Sequence, residues 1–368
     1  MDTLFSYISA KILRTLAAVG VLLAAAASAR GEARWTMSLD LKGNHVEGYP
    51  LFASQQQIQL LSRDGQLLAF PTDEAKNARK ASSSFRSYSS GEMRAALSRE
   101  LGPSFEVSGT GHYLVAHPRG QRDLWASRFE DLYRSFVHYF SRRGIAVSDP
   151  EFPLVAIVWP KQSDFMRYAE QTEAKIAANV LGYYSSRTNR ITLYDASGSG
   201  AGDAWKQNAD VIIHEATHQT AHNTGLHRRF ADNPRWLVEG LATMFEARGV
   251  WNSRDYQNQP DRINRGRLAR FRLLEQKGKA GSLAELIGSD RLFEQDVDRA
   301  YAQAWALTFF LCETQSQRYD EYLKLVAKRA AFEKYSSTQR LKDFTKVFGE
   351  LPLVESHFLR FMKELKTP

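Results

Sequence analysis

The residue types best suited to chemistry lie in Val211-Ile212-Ile213-His214-Glu215-Ala216-Thr217-His218, an H-E-x-x-H segment. On an α-helix, residues four apart differ by about 40° in direction and about 6 Å in rise, so both imidazoles can converge on one ion. Glu215 lies beside them, placed to take a proton from a metal-bound water and later deliver it to a leaving amine. Apolar residues before His214 follow a helical period, and Gly225 can end the helix. A plainer alternative is a surface helix with two unrelated histidines. In a chain of 368 residues the bare pattern arises by chance in roughly one or two sequences per hundred, so it needs a second feature beside it.

That feature is Glu239, 21 residues after His218, in Pro234-Arg235-Trp236-Leu237-Val238-Glu239-Gly240-Leu241-Ala242. Asn233 and Pro234 predict a helix start, and a second helix packed on the first can present Glu239 to the same ion. His214, His218 and Glu239 then make three protein ligands, leaving the fourth position open as a catalytic rather than a structural site does. Two imidazoles and one carboxylate suit one zinc ion per chain better than magnesium. His222 continues the four-residue series but lies about 12 Å along the axis from His214, too far to share the ion, and reads as a cleft or supporting residue. His227 follows the helix end and does not fit as a ligand. Glu246 lies two turns beyond Glu239 and reads as a solvated or structural carboxylate.

Together these residues resemble the gluzincin metallopeptidases, particularly the membrane-alanyl-aminopeptidase-like (peptidase MA) clan with its W-L-x-E-G-x-A signature after H-E-x-x-H, and within it bacterial exported proteins. The resemblance covers Asp210 to Glu246 and, more weakly, Tyr301-Ala302-Gln303-Ala304-Trp305. It implies a zincin-like catalytic domain acting on a peptide or protein substrate, with Tyr301 donating a hydrogen bond to the tetrahedral oxyanion. Taken alone, Tyr301 reads equally well as a core aromatic. The strand Ile191 to Tyr194 falls where such enzymes keep an edge strand that pairs with an extended peptide, a core strand being the alternative. Two departures matter. No G-x-M-E-N-like segment precedes the zinc motif, so recognition of a free substrate N-terminus is not carried over and the choice between endo- and exopeptidase stays open. Thr243 stands four residues after Glu239, where some gluzincins place an Asp that orients a histidine. A peptidase-like envelope binding or scaffold protein without turnover is the alternative function; a general base at Glu215 weighs against it.

The elements that must position these groups read as α+β. Trp35 to Phe70 is a run of short β segments with Asp64-Gly65 as a hairpin turn, giving a small β module over 30–72. A charged and Ser-rich stretch over 73–91 suits a linker. The catalytic domain then spans 92–368: an extended run at His112 to Ala116, a helix near Leu124 to Phe140, the apolar strand Leu154 to Trp159, a helix after Ser163, and Gly182-Tyr183-Tyr184 with Arg190 to Tyr194 as a hairpin or edge strand. A flexible loop at Gly198 to Gly202 follows, and the remainder is mainly helical.

Composition bounds the setting. With 43% hydrophobic and 24% charged residues the chain should fold into a sizeable core. Residues 1–29 read as a Sec-type signal peptide, with Lys11 and Arg14, the apolar run Leu16 to Ala26 and the Ala27-Ser28-Ala29 cleavage site, so the protein is expected in the periplasm or secreted. An uncleaved anchor is the alternative, but the apolar core is shorter than the ~20 residues a spanning helix needs. The single cysteine, Cys312, follows an apolar run and reads as a small buried hydrophobe. A formal charge of +8 favours an anionic envelope surface. Scattered Lys and Arg residues without a recognition motif argue against nucleic acid.

Overall fold

The computed structural model describes residues 34–120, 122–172, 176–177, 180–196 and 204–366. The expected signal peptide and the glycine-rich loop at 198–202 lie outside the described residues. The architecture is mixed α+β, an N-terminal sheet followed by a mostly helical C-terminal part. The described residues divide into two compact units, one within 34–96 with 151–153 and 187–189, the other within 97–150, 154–186 and 190–366.

The first unit holds an antiparallel sheet of β1 (Thr36–Leu41), β2 (Asn44–Ala53), β3 (Gln57–Ser62), β4 (Leu67–Pro71) and β5 (Lys76–Ser82), in the order β4-β3-β2-β1-β5. Alternating side chains put Met37, Leu39, Ile58, Leu60 and Phe70 into one small core. The Asp64-Gly65 hairpin is present, with Gly65 at φ +85°, a left-handed conformation that glycine adopts without a Cβ clash. Part of the stretch expected as a linker is strand β5. Its sequence Lys-Asn-Ala-Arg-Lys-Ala-Ser lacks apolar alternation because it is a solvent-facing edge, where lysines guard against further strand pairing.

The second unit holds β6 (Phe105–Gly109), β7 (Tyr113–Pro118), β8 (Leu154–Trp159), β9 (Gly182–Ser185) and β10 (Arg190–Tyr194), in the order β6-β7-β8-β10-β9. β7, β8 and β10 run parallel, and β6 and β9 are antiparallel edges. β8 reads as an unbroken apolar run, as strands covered on both faces do. The strand at Ile191 to Tyr194 is therefore interior rather than an edge. The edge is β9, four residues too short to carry a period of its own.

Helices α1 (Ser90–Leu101), α2 (Arg122–Ser141) and α3 (Gln162–Thr172) precede α4 (Ala204–Asn223), which packs against α2, β9 and β10. Ile212, Ile213, Ala216 and Ala221 form the buried side of α4, and the Gln219 amide donates to the Val155 carbonyl at 3.0 Å. α5 (Arg235–Phe245) lies against α4 and buries Trp236, Leu237, Leu241, Met244 and Phe245. Pro234 occupies its N-cap and Asn233 does not cap it; instead the Asp290 carboxylate accepts the Arg235 N–H at 2.9 Å. α6 (Arg248–Trp251), α7 (Arg265–Gln276), α8 (Leu283–Gly288) and α9 (Leu292–Gln295) lead to α10 (Val297–Thr314), whose residues Ala302 to Cys312 are all buried. Cys312 is a free thiol there, as expected. α11 (Ser316–Ala327), α12 (Ser337–Phe348) and α13 (Leu351–Glu364) complete the helical part. No helix among the described residues is long and apolar enough to cross a membrane.

The closest approach that matters to the site is α5 on α10. A Cβ at Gly240 would overlap Thr308 Oγ1 and stand 2.5 Å from the Ala304 carbonyl oxygen, so only glycine lets these backbones meet and brings Glu239 on α5 beside Tyr301 on α10. Gly240→Ala must push the two helices apart. We expect a loss of about 1–3 kcal/mol of stability, read from denaturant midpoints; a midpoint equal to that of the parent would refute the close-packing argument.

Candidate metal centre

α4 brings His214, Glu215 and His218 to one face, and α5 carries Glu239 to meet them. His214 Nε2 lies 3.3 Å and His218 Nε2 3.6 Å from Glu239 Oε2. All three donor atoms fall within 4.8 Å of one another, with side chains 14%, 11% and 15% exposed. Zinc bonds of about 2.0–2.2 Å at tetrahedral angles set neighbouring donors about 3.3–3.6 Å apart, which the two distances to Glu239 match, so the donor set is compatible with zinc.

The electrostatics suit a cation. Burial disfavours charge on His214, but hydrogen bonds with Glu239 and Glu246 outweigh it and raise its pKa to about 10. Burial likewise opposes ionisation of Glu239, yet His218 and His214 hold its carboxyl well below the usual range. A pair that is an imidazolium and a carboxylate can exchange its proton for a metal ion.

Of the two readings the sequence offers for Glu246, a solvated or a structural carboxylate, the structure agrees with the second. Glu246 Oε1 lies 2.9 Å from His214 Nδ1, and Asn264 Nδ2 donates to its Oε2 at 2.9 Å. Asn264 also donates to the Thr243 carbonyl and caps α7 by accepting the Arg267 N–H. Thr243 thus meets the site's support through its backbone, and the carboxylate that orients the histidine comes from three residues further on. Glu246 sits seven residues after Glu239, two turns along one face; that spacing was the available signal. Asn264 had none. Removing a group that orients a ligand typically weakens metal affinity about 10–100-fold. Glu246→Ala should do so in a zinc competition titration against a chelator, and unchanged affinity would remove Glu246 from the site.

Glu215 faces the edge strand: its Oε2 accepts the Tyr184 N–H of β9 at 2.7 Å. Burial raises its pKa above the usual carboxylate value, against the opposing pull of His214 and His218. The Tyr301 hydroxyl donates to Glu239 Oε2 at 2.9 Å, and burial together with Glu239 raises its pKa, so it keeps its proton. The structure thus places Tyr301, which the family resemblance singled out, in contact with Glu239. His222 and His227 stand off from the three-donor cluster, their rings 5.4 Å apart. Burial pushes His227 down to about 3 and His222 well below its ordinary value, so both are neutral. Tyr184 stacks on His222, which ties this pair to β9.

Comparison with known proteins gives the following. A family model described as "Protein of unknown function (DUF1570)" matches residues 208–333, a span that contains all five candidate residues. No curated protein matches the chain. Among solved structures, the M1 zinc metallopeptidase from Deinococcus radiodurans is similar at 16% identity and a TM-score of 0.38, over 73% of this chain and 52% of that one. A mutant of it bound to a Tyr-Ser-Ala substrate gives 14% identity and a TM-score of 0.39, over 72% and 52%. ZmpB metallopeptidase from Clostridium perfringens gives 12% and 0.34, over 92% of this chain and 71% of that one. The chain spans about half the length of the Deinococcus enzyme it matches. These neighbours are metallopeptidases, the Deinococcus enzyme a zinc one; none of the likenesses assigns a reaction to this chain.

Proposed function

We propose that this chain is an exported zinc-dependent peptidase of the gluzincin type, in which His214, His218 and Glu239 hold one zinc ion and Glu215 is the general base. One observation carries the reading: three zinc-compatible donors converge at 3.3 and 3.6 Å, and a further carboxylate, Glu215, stands one residue from a ligand without joining the set. Zinc bound there supplies a Lewis acid for the substrate carbonyl and a water that ionises near pH 7.

The chain's own residues do the rest. Glu215 accepts a proton from the attacking water as its oxygen bonds to the carbonyl carbon. The same proton passes to the amine nitrogen as the carbon–nitrogen bond breaks, so water is consumed and two peptide ends are formed. A raised pKa brings Glu215 nearer to the working pH, which favours both transfers. Tyr301, kept protonated, turns its one O–H from Glu239 to the oxyanion that develops on the carbonyl oxygen. His214 is held in orientation by Glu246. An extended substrate backbone can lie along β9, whose Tyr184 N–H already points at Glu215.

No particular observation favours the binding or scaffold alternative. The reading is tested by incubating the zinc-loaded protein with a peptide library and sequencing the products by mass spectrometry. Internal cuts indicate an endopeptidase and stepwise terminal losses an exopeptidase; no products from a zinc-loaded, folded protein would overturn the proposal.

A further inference from the structure

A second site lies at the far end of α10, independent of the peptidase reading. Glu313 is 12 residues after Tyr301, about 18 Å along the helix axis at 1.5 Å per residue. There a cavity of about 820 Å³ is lined by Arg142, Arg143, Arg254 and Arg262, with Glu313 as the one carboxylate in its wall. Arg143 Nη2 reaches Glu313 at 3.0 Å, and Arg262 grips it with two bonds of 2.9 and 2.7 Å. The two guanidiniums are 19% and 17% exposed and the carboxylate 5%, so two sheltered positive charges share one bonded carboxylate, with Asp261 adding a weaker attraction on Arg262. Arg142 and Arg254 are exposed on the rim and have no ion pair among the described residues. An unbalanced positive charge in a sheltered recess is costly unless an anion joins it.

The recess is also prepared to hold one. Arg143 lies 3.6 Å above the Tyr139 ring and donates to the Tyr139 carbonyl, and Arg262 donates to the Gln257 carbonyl at 2.8 Å, so both forks are fixed in place. Each guanidinium has five N–H donors, and these bonds leave some on each uncommitted. Ser253 lines the same cavity, and its hydroxyl oxygen is buried without a partner. Four arginines against one carboxylate call for a ligand of more than one negative charge, and planar guanidinium forks match phosphate oxygens.

We infer that this cavity binds a phosphoryl group carried on a larger molecule, either a soluble phosphate ester or a phosphorylated envelope polymer. The test is calorimetric titration of the full, zinc-loaded protein with glycerol 3-phosphate, beside Arg142→Glu/Arg254→Glu and a charge-matched control, Arg94→Glu/Arg99→Glu, on α1. Saturable binding that weakens at least about tenfold in the cavity variant and stays unchanged in the control is expected. No saturable binding, or equal binding in both variants, would overturn the site; the latter places the anion at the metal centre or on the general charge of the protein. A second titration with a glycerol-phosphate oligomer separates the sources. Tighter binding of the oligomer, with the same loss in the cavity variant, identifies a polymer, and tighter binding of the monomer identifies a soluble ester. The site is distinct from the metal centre, so its failure leaves the peptidase reading standing.

Discussion

Glu215→Gln should abolish most turnover while zinc remains bound. Glutamine keeps the shape of the side chain and can still accept the Tyr184 N–H through its amide oxygen. It cannot take a proton from water. General acid–base catalysis contributes on the order of 10²–10⁴ in rate, so kcat should fall by that factor, about 3–5 kcal/mol of barrier, with little change in KM. The pH profile supplies a second readout. Glu215 acts as a base only when ionised, and burial sets its pKa above the usual carboxylate value, so the parent should lose activity as pH falls through that raised pKa. The residual activity of the variant should lack that limb. A variant that cleaves as fast as the parent would dismiss Glu215 as the base. A large fall in kcat accompanied by loss of zinc would mean that Glu215 supports the metal instead.

The core of this site was legible because its members are local. His214, Glu215 and His218 share one turn of helix, and a fixed 3.6-residue period makes their convergence a property of sequence spacing alone. Glu239 was legible for a related reason, since a Trp-Leu-x-Glu-Gly run placed it on a second amphipathic helix. What sequence could not give was the partner of each remaining atom. Asn264 reaches Glu246 from the start of a different helix, 18 residues away, and no period connects them. Asp290 supports the start of α5 from 55 residues away, so the local Asn233-Pro234 signal marked where the helix begins but not the side chain that takes its first N–H. In the sheet, β8 was recognisable because burial on both faces leaves an unbroken apolar run. The β9–β10 hairpin was also recognisable, from Gly182-Tyr183-Tyr184 and Arg190 to Tyr194, although which of its strands forms the edge was not: β10 lies between β8 and β9. β5 was not, because an exposed edge strand looks like a polar linker.

His214→Ala/His218→Ala should carry almost no zinc where the parent carries about one ion per chain. Glu239 alone would remain of the three donors, and a single carboxylate cannot hold zinc against water in a site built for borderline nitrogen ligands. The loss should be visible in stability as well as in metal content. A ligand that binds only the folded state stabilises it by RT ln(1 + [L]/Kd), about 4 kcal/mol at a thousandfold excess over Kd, so zinc should raise the thermal midpoint of the parent and leave that of the variant unmoved. The metal-free comparison separates site from scaffold. Without its imidazoles, Glu239 loses the two groups that hold its pKa down, and burial, which raises it, is left to act. The metal-free variant should therefore take up a proton at Glu239 at a higher pH than the metal-free parent, while its far-ultraviolet circular dichroism stays that of a folded α+β protein. Zinc binding by the parent should release the proton that His214 holds with a pKa of about 10, so its apparent zinc affinity should weaken as pH falls. Stoichiometric zinc in the folded variant would place the metal elsewhere. No zinc in a folded, zinc-supplemented parent would remove the metal from the chemistry of this chain altogether and leave the buried His214–Glu239 pair as a structural contact between α4 and α5.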